Sequence, residues 1–188
     1  MSEDSSEFAN DFIFKICCIG EGAVGKTSLI KRFTQGAFNK DYIKTLGAQF
    51  SRYEQILGEK KDIRCRLFFW DIAGQNEFAF MRPTFYNGAK AAIIVYDLSR
   101  PETLPTIETW FKDITQYVGN IPVVIFGNKS DLVDEATVDT VKIKEMVKKY
   151  NFLDFYMTSA KTGSRVESAF NSIIKILVDD ALKKKNQK

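Results

Sequence analysis

The sequence predicts an α/β domain: a mostly parallel six-stranded sheet with one antiparallel edge strand and helices on both faces. Three observations predict it. Continuous apolar runs of strand length recur along the chain, and stretches with helical periodicity separate most of them. One pair of runs, 50–57 and 63–70, is joined only by Gly58-Glu59-Lys60-Lys61-Asp62, which leaves no room for a helix. That pair reads as a hairpin, and so as the antiparallel edge.

Taken in order, the first run is 12–19, apolar throughout except for Lys15, as a strand buried on both faces requires. A helical start follows at Ser28-Leu29-Ile30-Lys31-Arg32-Phe33. After the hairpin comes the run 91–96. Ile107, Trp110, Phe111, Ile114 and Val118 then recur at the spacing that puts one apolar stripe on a helix. The run 121–126 opens with Ile121-Pro122. Ile143, Met146, Val147 and Tyr150 form a second stripe, the run 152–157 supplies the last strand, and Val166, Phe170, Ile173 and Leu177 form a third stripe.

A chain of 188 residues, 45% hydrophobic and 13% aromatic, can bury one full core. The net charge of +3 is too small for the basic stripe that nucleic acid calls for, so none is expected as a partner. Charge is concentrated at the two ends. The organisation expected is an acidic, disordered segment at 1–10, one domain at 11–182 and a basic tail at 183–188. No signal-peptide pattern and no run near 18 apolar residues is present, which argues against secretion and membrane spanning. Three cysteines, no histidine and no Cys-x-x-Cys spacing give neither a disulfide framework nor a structural zinc site. A reduced, soluble, cytoplasmic monomer is expected.

The chemistry is concentrated in Gly20-Glu21-Gly22-Ala23-Val24-Gly25-Lys26-Thr27, which fits the phosphate-loop pattern G-x-x-x-x-G-K-[ST]. Chance would produce the four fixed positions in on the order of one chain in a hundred of this length. The motif stands between a strand and a helix, as its mechanics demand. Glycines let successive N–H groups turn toward one phosphate chain, and the following helix adds the positive end of its dipole. Lys26 is placed for the β- and γ-phosphates, and the Thr27 hydroxyl for Mg²⁺. This chain is expected to bind a nucleoside triphosphate.

In open parallel sheets ligands bind beyond the carboxyl ends of the strands. After the strand ending at Trp70 comes Asp71-Ile72-Ala73-Gly74-Gln75. There Asp71 can hold the Mg²⁺ shell through water, and the Gly74 N–H can face a γ-phosphate. After the strand ending at Phe126 comes Gly127-Asn128-Lys129-Ser130-Asp131. Guanine presents two adjacent donors, N1–H and N2–H₂, that one carboxylate at Asp131 can accept together. Adenine lacks both and would leave that carboxylate unpaired, a mismatch a site of this kind rejects by up to about 10⁴–10⁵. After the last strand comes Thr158-Ser159-Ala160-Lys161, where the short Ala160 lets its N–H approach the guanine O6.

In this order and spacing, G-x-x-x-x-G-K-T, Thr45, D-I-A-G-Q, N-K-S-D and S-A-K resemble the Ras-like small GTPases from about residue 12 to residue 182. Tyr42-Ile43-Lys44-Thr45-Leu46-Gly47, the stretch from Trp70 to Gln75, and Arg82-Pro83-Thr84-Phe85-Tyr86-Asn87-Gly88-Ala89 look most like the Rab branch. The resemblance implies the phosphate-loop GTPase fold and a set of roles. Gly20, Gly22, Ala23, Val24, Gly25, Lys26, Thr27 and Ser28 would cradle the phosphates. Phe38 would pack against the base, and Tyr42 would close over the phosphates. Thr45 would reach both Mg²⁺ and the γ-phosphate, completing a metal set of Thr27, Thr45 and, through water, Asp71. Gln75, Thr45 and Lys26 would serve catalysis: Gln75 by orienting the attacking water, Lys26 by neutralising phosphate charge. Asn128, Lys129, Asp131, Ser159, Ala160 and Lys161 would hold the base. Phe50, Trp70 and Tyr86 fall where Rab proteins carry an aromatic cluster bridging two nucleotide-sensitive loops. Effectors, GTPase-activating proteins and exchange factors would bind the loops around 38–50 and 72–86.

Three features depart from the Rab pattern. Asn76 follows the glutamine where a glutamate is usual, with Glu77 one residue later. Ile72 replaces a threonine. No cysteine follows Cys65 and residue 2 is serine, so neither prenylation nor myristoylation at the ends is expected, and membrane contact reduces to weak attraction by the lysines at 183–185 and 188. With no arginine between Phe33 and Thr45, hydrolysis is expected to be slow, on the order of the 10⁻⁴–10⁻³ s⁻¹ of Ras alone. That suits a switch acting in trafficking or signalling. Two other readings stand beside it: a module that holds GTP with little turnover and serves as a scaffold, and a phosphate-loop kinase. The Gln75–Thr45 set argues against the first, and the N-K-S-D turn with no arginine-rich lid against the second.

Overall fold

The strand that opens the domain is buried on both faces. β1 (Asn10–Ile19) sends Phe14, Ile16 and Cys18 to one side and Cys17 and Ile19 to the other, the alternation that a pleated backbone imposes. The computed structural model describes residues 8–39, 44–60 and 62–187. β1 pairs in parallel with β3 (Ile63–Ile72) and with β4 (Ala91–Asp97). β2 (Ala48–Leu57) lies antiparallel on the outer edge of β3, with Phe50 opposite Trp70 and Leu57 opposite Ile63. β5 (Val123–Asn128) and β6 (Phe155–Met157) extend the other side in parallel, giving the order β2-β3-β1-β4-β5-β6. The expected sheet, mostly parallel with one antiparallel edge strand, is the one observed.

Helices cover both faces. α1 (Lys26–Gln35) and α5 (Val166–Asn186) bury Leu29, Ile30, Phe170, Ile173 and Leu177 against one. α2 (Arg82–Tyr86), α3 (Thr106–Val118) and α4 (Thr140–Tyr150) bury Tyr86, Ile107, Trp110, Ile114 and Ile143 against the other. Phe170 anchors the first layer. Its ring stacks on Phe33 at 4.4 Å and meets Phe69 and Phe126 edge-on at 5.3 and 5.2 Å. Five parallel strands deliver their carboxyl ends to one rim of the sheet, and the site lies there.

Several boundaries differ from the sequence expectation: β1, β2 and β3 each run about two residues further, and three differences have a local cause. The run at 121–126 pairs only from Val123, because Pro122 has no N–H to give; the strand extends instead through Gly127 and Asn128. The run at 152–157 pairs only from Phe155, since Asn151 ends α4 in a left-handed turn and the Phe152 N–H bonds back to the Val147 carbonyl. Lysines 183–185, expected in a tail, continue α5 to Asn186, and the Lys185 ammonium donates to the Ala9 carbonyl and to Asn10 Oδ1. Among the described residues no helix is long and apolar enough to cross a membrane.

Phe170 is fully buried at a crowded aromatic junction, so Phe170→Ala should lower the unfolding free energy by about 3–5 kcal/mol. Urea denaturation measures this; a loss below about 1 kcal/mol would mean the junction can collapse around the cavity.

Candidate functional site

The turn from β1 into α1 passes beneath two other strands, which dictates its glycines. Gly20 has φ 135°, and a Cβ there would lie 2.1 Å from the Val95 carbonyl oxygen; at Gly25, φ 99°, a Cβ would lie 2.2 Å from Asn128 Nδ2. Lys26 follows at the start of α1, buried, its ammonium donating to the carbonyls of Gly20 at 2.8 Å and Glu21 at 2.7 Å. Burial holds its pKa below the usual lysine range, although Asp71 works the other way.

Around Asp71 three oxygen donors from three elements converge. Thr27 Oγ1, on α1, donates to Asp71 Oδ2 at the end of β3. Thr45 Oγ1, just before β2, lies 3.1 Å from the Thr27 hydroxyl and 3.4 Å from the same carboxylate oxygen. Burial raises the Asp71 pKa, opposed by the hydroxyl bonds and by Lys26. Its second oxygen, Oδ1, is buried without a protein hydrogen bond. Two hydroxyls and a carboxylate are hard ligands, so the residues present fit a small divalent cation, and the orphaned Oδ1 is the observation that favours it.

The backbone beyond β3 then crosses the phosphate loop at close range. A Cβ on Gly74 would lie 2.4 Å from the Gly20 carbonyl oxygen and 2.5 Å from the Gly22 nitrogen, so only glycine fits there. Gln75 sets its side-chain amide beside Gly22, and its Oε1 is buried without a protein hydrogen bond. Glu77 pairs with Lys44, joining the segments on either side of the hairpin. That gives the displaced glutamate a partner of its own.

At the far end of the cleft Asn128 ties three pieces together. Its Nδ2 donates to the Val24 carbonyl at 2.9 Å, and its Oδ1 accepts from the Ala160 N–H at 3.1 Å. Asp131 Oδ1 accepts the Ser159 hydroxyl at 2.6 Å, and Lys161 lies 3.5 Å from Oδ2. Each carboxylate oxygen has a second lone pair, so both can still accept a donor from a base. Arg32 of α1 fixes the same loop by donating to the carbonyls of Ala160 and Lys161 at 2.7 and 2.5 Å.

One cleft of about 280 Å³ gathers most of the expected residues: Gly22, Ala23, Gly25, Lys26, Thr27, Ser28, Phe38, Thr45, Gly74, Gln75, Asn128, Lys129, Asp131, Ala160 and Lys161. Gly20, Val24, Asp71 and Ser159 stand behind that lining as its support. Tyr42 lies outside the described residues. Lys31, Asn39, Ala73 and Leu132 also line the cleft and were not foreseen. Asp97 was missed too. Fully buried, it pairs with Lys129 at 2.7 Å and Arg100 at 2.8 Å, and Arg100 reaches on to the Gly22 carbonyl at 2.9 Å. Burial opposes the charge on Asp97, but hydrogen bonds from Lys129, Ser99 and Arg100 outweigh it and hold the carboxyl below its usual range. Its signal was available: it follows the strand run ending at Tyr96, at the same rim of the sheet.

The aromatic cluster needs a correction. Phe50 meets Trp70 at 5.8 Å, but the next ring is Phe85, 5.9 Å from Trp70. Tyr86 points inward, is fully buried and donates to Asp113 Oδ2 at 2.7 Å. Adjacent on the short helix α2, the two aromatics point in different directions, Phe85 toward Trp70 and Tyr86 toward Asp113.

A phosphate loop, a Thr–Thr–Asp cation group and a carboxylate beyond β5, all on one parallel sheet, define a phosphate-loop nucleotide-binding protein. The chain matches the Ras family over residues 15–179. It is 35% identical to "Ras-related protein RABA4b" of Arabidopsis thaliana over 93% of this chain and 76% of the relative. It is 37% identical to "Ras-related protein Rab-32B" of Dictyostelium discoideum over 90% and 66%, and 36% identical to "Ras-related protein Rab-1" of Theileria annulata over 90% and 76%. The chain belongs to the Ras family, near its Rab branch, and is a small GTPase.

Gly74→Ala forces a methyl onto the phosphate-loop backbone, and overpacking of this kind costs about 1–3 kcal/mol. The crossing over the loop should open, weakening a non-hydrolysable GTP analogue by about tenfold or more while GDP affinity moves by less than about threefold. Competition binding with the two nucleotides checks this; equal losses for both would show a general defect in the loop.

Proposed function

We propose that this GTPase is a Mg²⁺-dependent, guanine-selective switch whose two partner-binding segments, around 38–50 and 72–86, are ordered by the triphosphate. The observation that carries the reading is the meeting of Thr27, Thr45 and Asp71. Thr45 belongs to the segment before β2, and among the described residues its side chain bonds to Thr27 and Asp71. A segment held through such a group is ordered while the group is complete.

Thr27 and Thr45, with Asp71 through water, would hold Mg²⁺, which would supply positive charge to the phosphates. Lys26 adds a second cation, fixed by two loop carbonyls, so little reorganisation accompanies the reaction. Gly74 offers its N–H from the closest approach the backbone permits. Gln75 carries both a donor and an unengaged acceptor beside Gly22, which suits it to align a water behind the γ-phosphorus. Positioning without an arginine in the segment before Thr45 makes turnover slow. The exposed Leu46, Phe50 and Phe80, 72%, 52% and 80% accessible, lie in or beside those two segments, and they support a role for both in binding partner proteins. The setting proposed from the Rab likeness is trafficking or signalling.

Base selection rests on Asp131. Labelled GDP should resist competition by an equal concentration of ATP, and Asp131→Asn should shift preference toward xanthine nucleotides, because the amide donates to the xanthine 2-oxygen where guanine carries an amine. Preference should change by about 10² or more. Free competition by ATP in the parent chain would overturn the reading.

A further inference from the structure

Behind the Gln75 segment lies a buried cation that neither the phosphate loop nor the cation group accounts for. Arg82, at the start of α2, is 8% exposed. Its Nη2 donates to the carbonyls of Gly74 at 3.4 Å and Gln75 at 3.3 Å. The guanidinium lies over the Trp110 ring, 4.1 Å from its centre, and its Nη1 is 3.6 Å from Asp113 Oδ2. Asp113 is itself held by the Tyr86 hydroxyl. Trp110 turns its other edge to the phosphate loop, with Nε1 donating to Glu21 Oε1 at 3.1 Å.

We infer that Arg82 is a positioning residue for GTP hydrolysis: a clamp on the main chain of Gly74 and Gln75 whose platform, Trp110, is tied to the phosphate loop through Glu21. The inference rests on the proposed role of Gln75 in aligning water. Its physical basis is the fork of the guanidinium. Nη2 reaches two successive carbonyls while Nη1 faces Asp113 and the plane stacks on an indole, so the guanidinium is held on two sides as it contacts the peptide that carries Gln75. Its bonds to those carbonyls are longer than the 2.7–3.2 Å typical of N–H···O, which leaves travel for the clamp to tighten as the segment closes. Arg82 Nε, buried without a partner, leaves the cation short of hydrogen bonds and so sensitive to where those carbonyls sit. Lysine has a single nitrogen and no plane, so it cannot serve the carbonyls and Asp113 from separate donors while stacking on Trp110.

The test compares the parent chain, loaded with GTP and Mg²⁺, with Arg82→Lys, Gln75→Leu and the double variant, by single-turnover hydrolysis and by GDP affinity. Arg82→Lys should slow hydrolysis by about tenfold, with GDP affinity within about twofold. In the Gln75→Leu background the same change should add almost nothing, because the clamp acts through Gln75. Trp110→Phe keeps a ring beneath Arg82 but removes the donor to Glu21, and should slow hydrolysis by about threefold; it carries the test if Arg82→Lys does not fold. Parental hydrolysis in Arg82→Lys, an equal proportional slowing in the Gln75→Leu background, or a matching loss of GDP affinity would each overturn the inference. Parental hydrolysis by Gln75→Leu itself would overturn the role of Gln75 instead, which separates the two failures.

Discussion

The structure turns on one buried carboxylate. Asp71 sits at the carboxyl end of β3, where burial opposes its charge and the compensating groups come from elsewhere in the chain. Thr27 arrives from α1 and Thr45 from the segment before β2, with Lys26 close behind. A charge so placed needs partners. It links the phosphate loop, the end of the central sheet and the segment leading into the hairpin. Because that set fits a divalent cation better than it satisfies itself, with Oδ1 left over, the same atoms that hold the fold at this point are sensitive to what is bound there.

The rest of the cleft is arranged as ties between neighbouring strand ends. Asn128 joins the phosphate loop to the loop after β6, and Asp97 joins the phosphate loop, through Arg100, to Lys129. Arg32 closes the circle from α1. Each is a side chain bonded to main chain or to an opposite charge across the rim, so the loops are fixed to one another as well as to the sheet. The two segments outside this circle are those that carry the exposed apolar side chains Leu46, Phe50 and Phe80.

Much of this was legible in the sequence because it is local. Strands buried on both faces must be apolar throughout, so β1 and β4 could be read directly; the hairpin was legible from its short connection, and the residues expected to meet phosphate and base follow strand ends at fixed offsets. What was misread depends on partners far along the chain. Pro122 has no N–H to give the ladder, though its carbonyl accepts from the Ala92 N–H, and Phe152 closes a helix rather than opening a strand. Phe85 and Tyr86 are adjacent aromatics, and only the docking of α2 against α3 decides which faces Trp70. Arg82 was legible only as the start of a Rab-like stretch; its contacts appear only when Trp110 and the Gly74 carbonyl are brought to it by the fold.

The central claim is that the segments at Thr45 and Gly74 are held by the group around Asp71 and released when it is incomplete. Amide hydrogen exchange, compared between the Mg²⁺–GDP form and the form with Mg²⁺ and a non-hydrolysable GTP analogue, tests it most directly. The account predicts that amides at 44–47 and 73–75 exchange at least about tenfold more slowly with the triphosphate, while those of β4 and β5 do not change. Equal exchange of both segments in the two forms would contradict it.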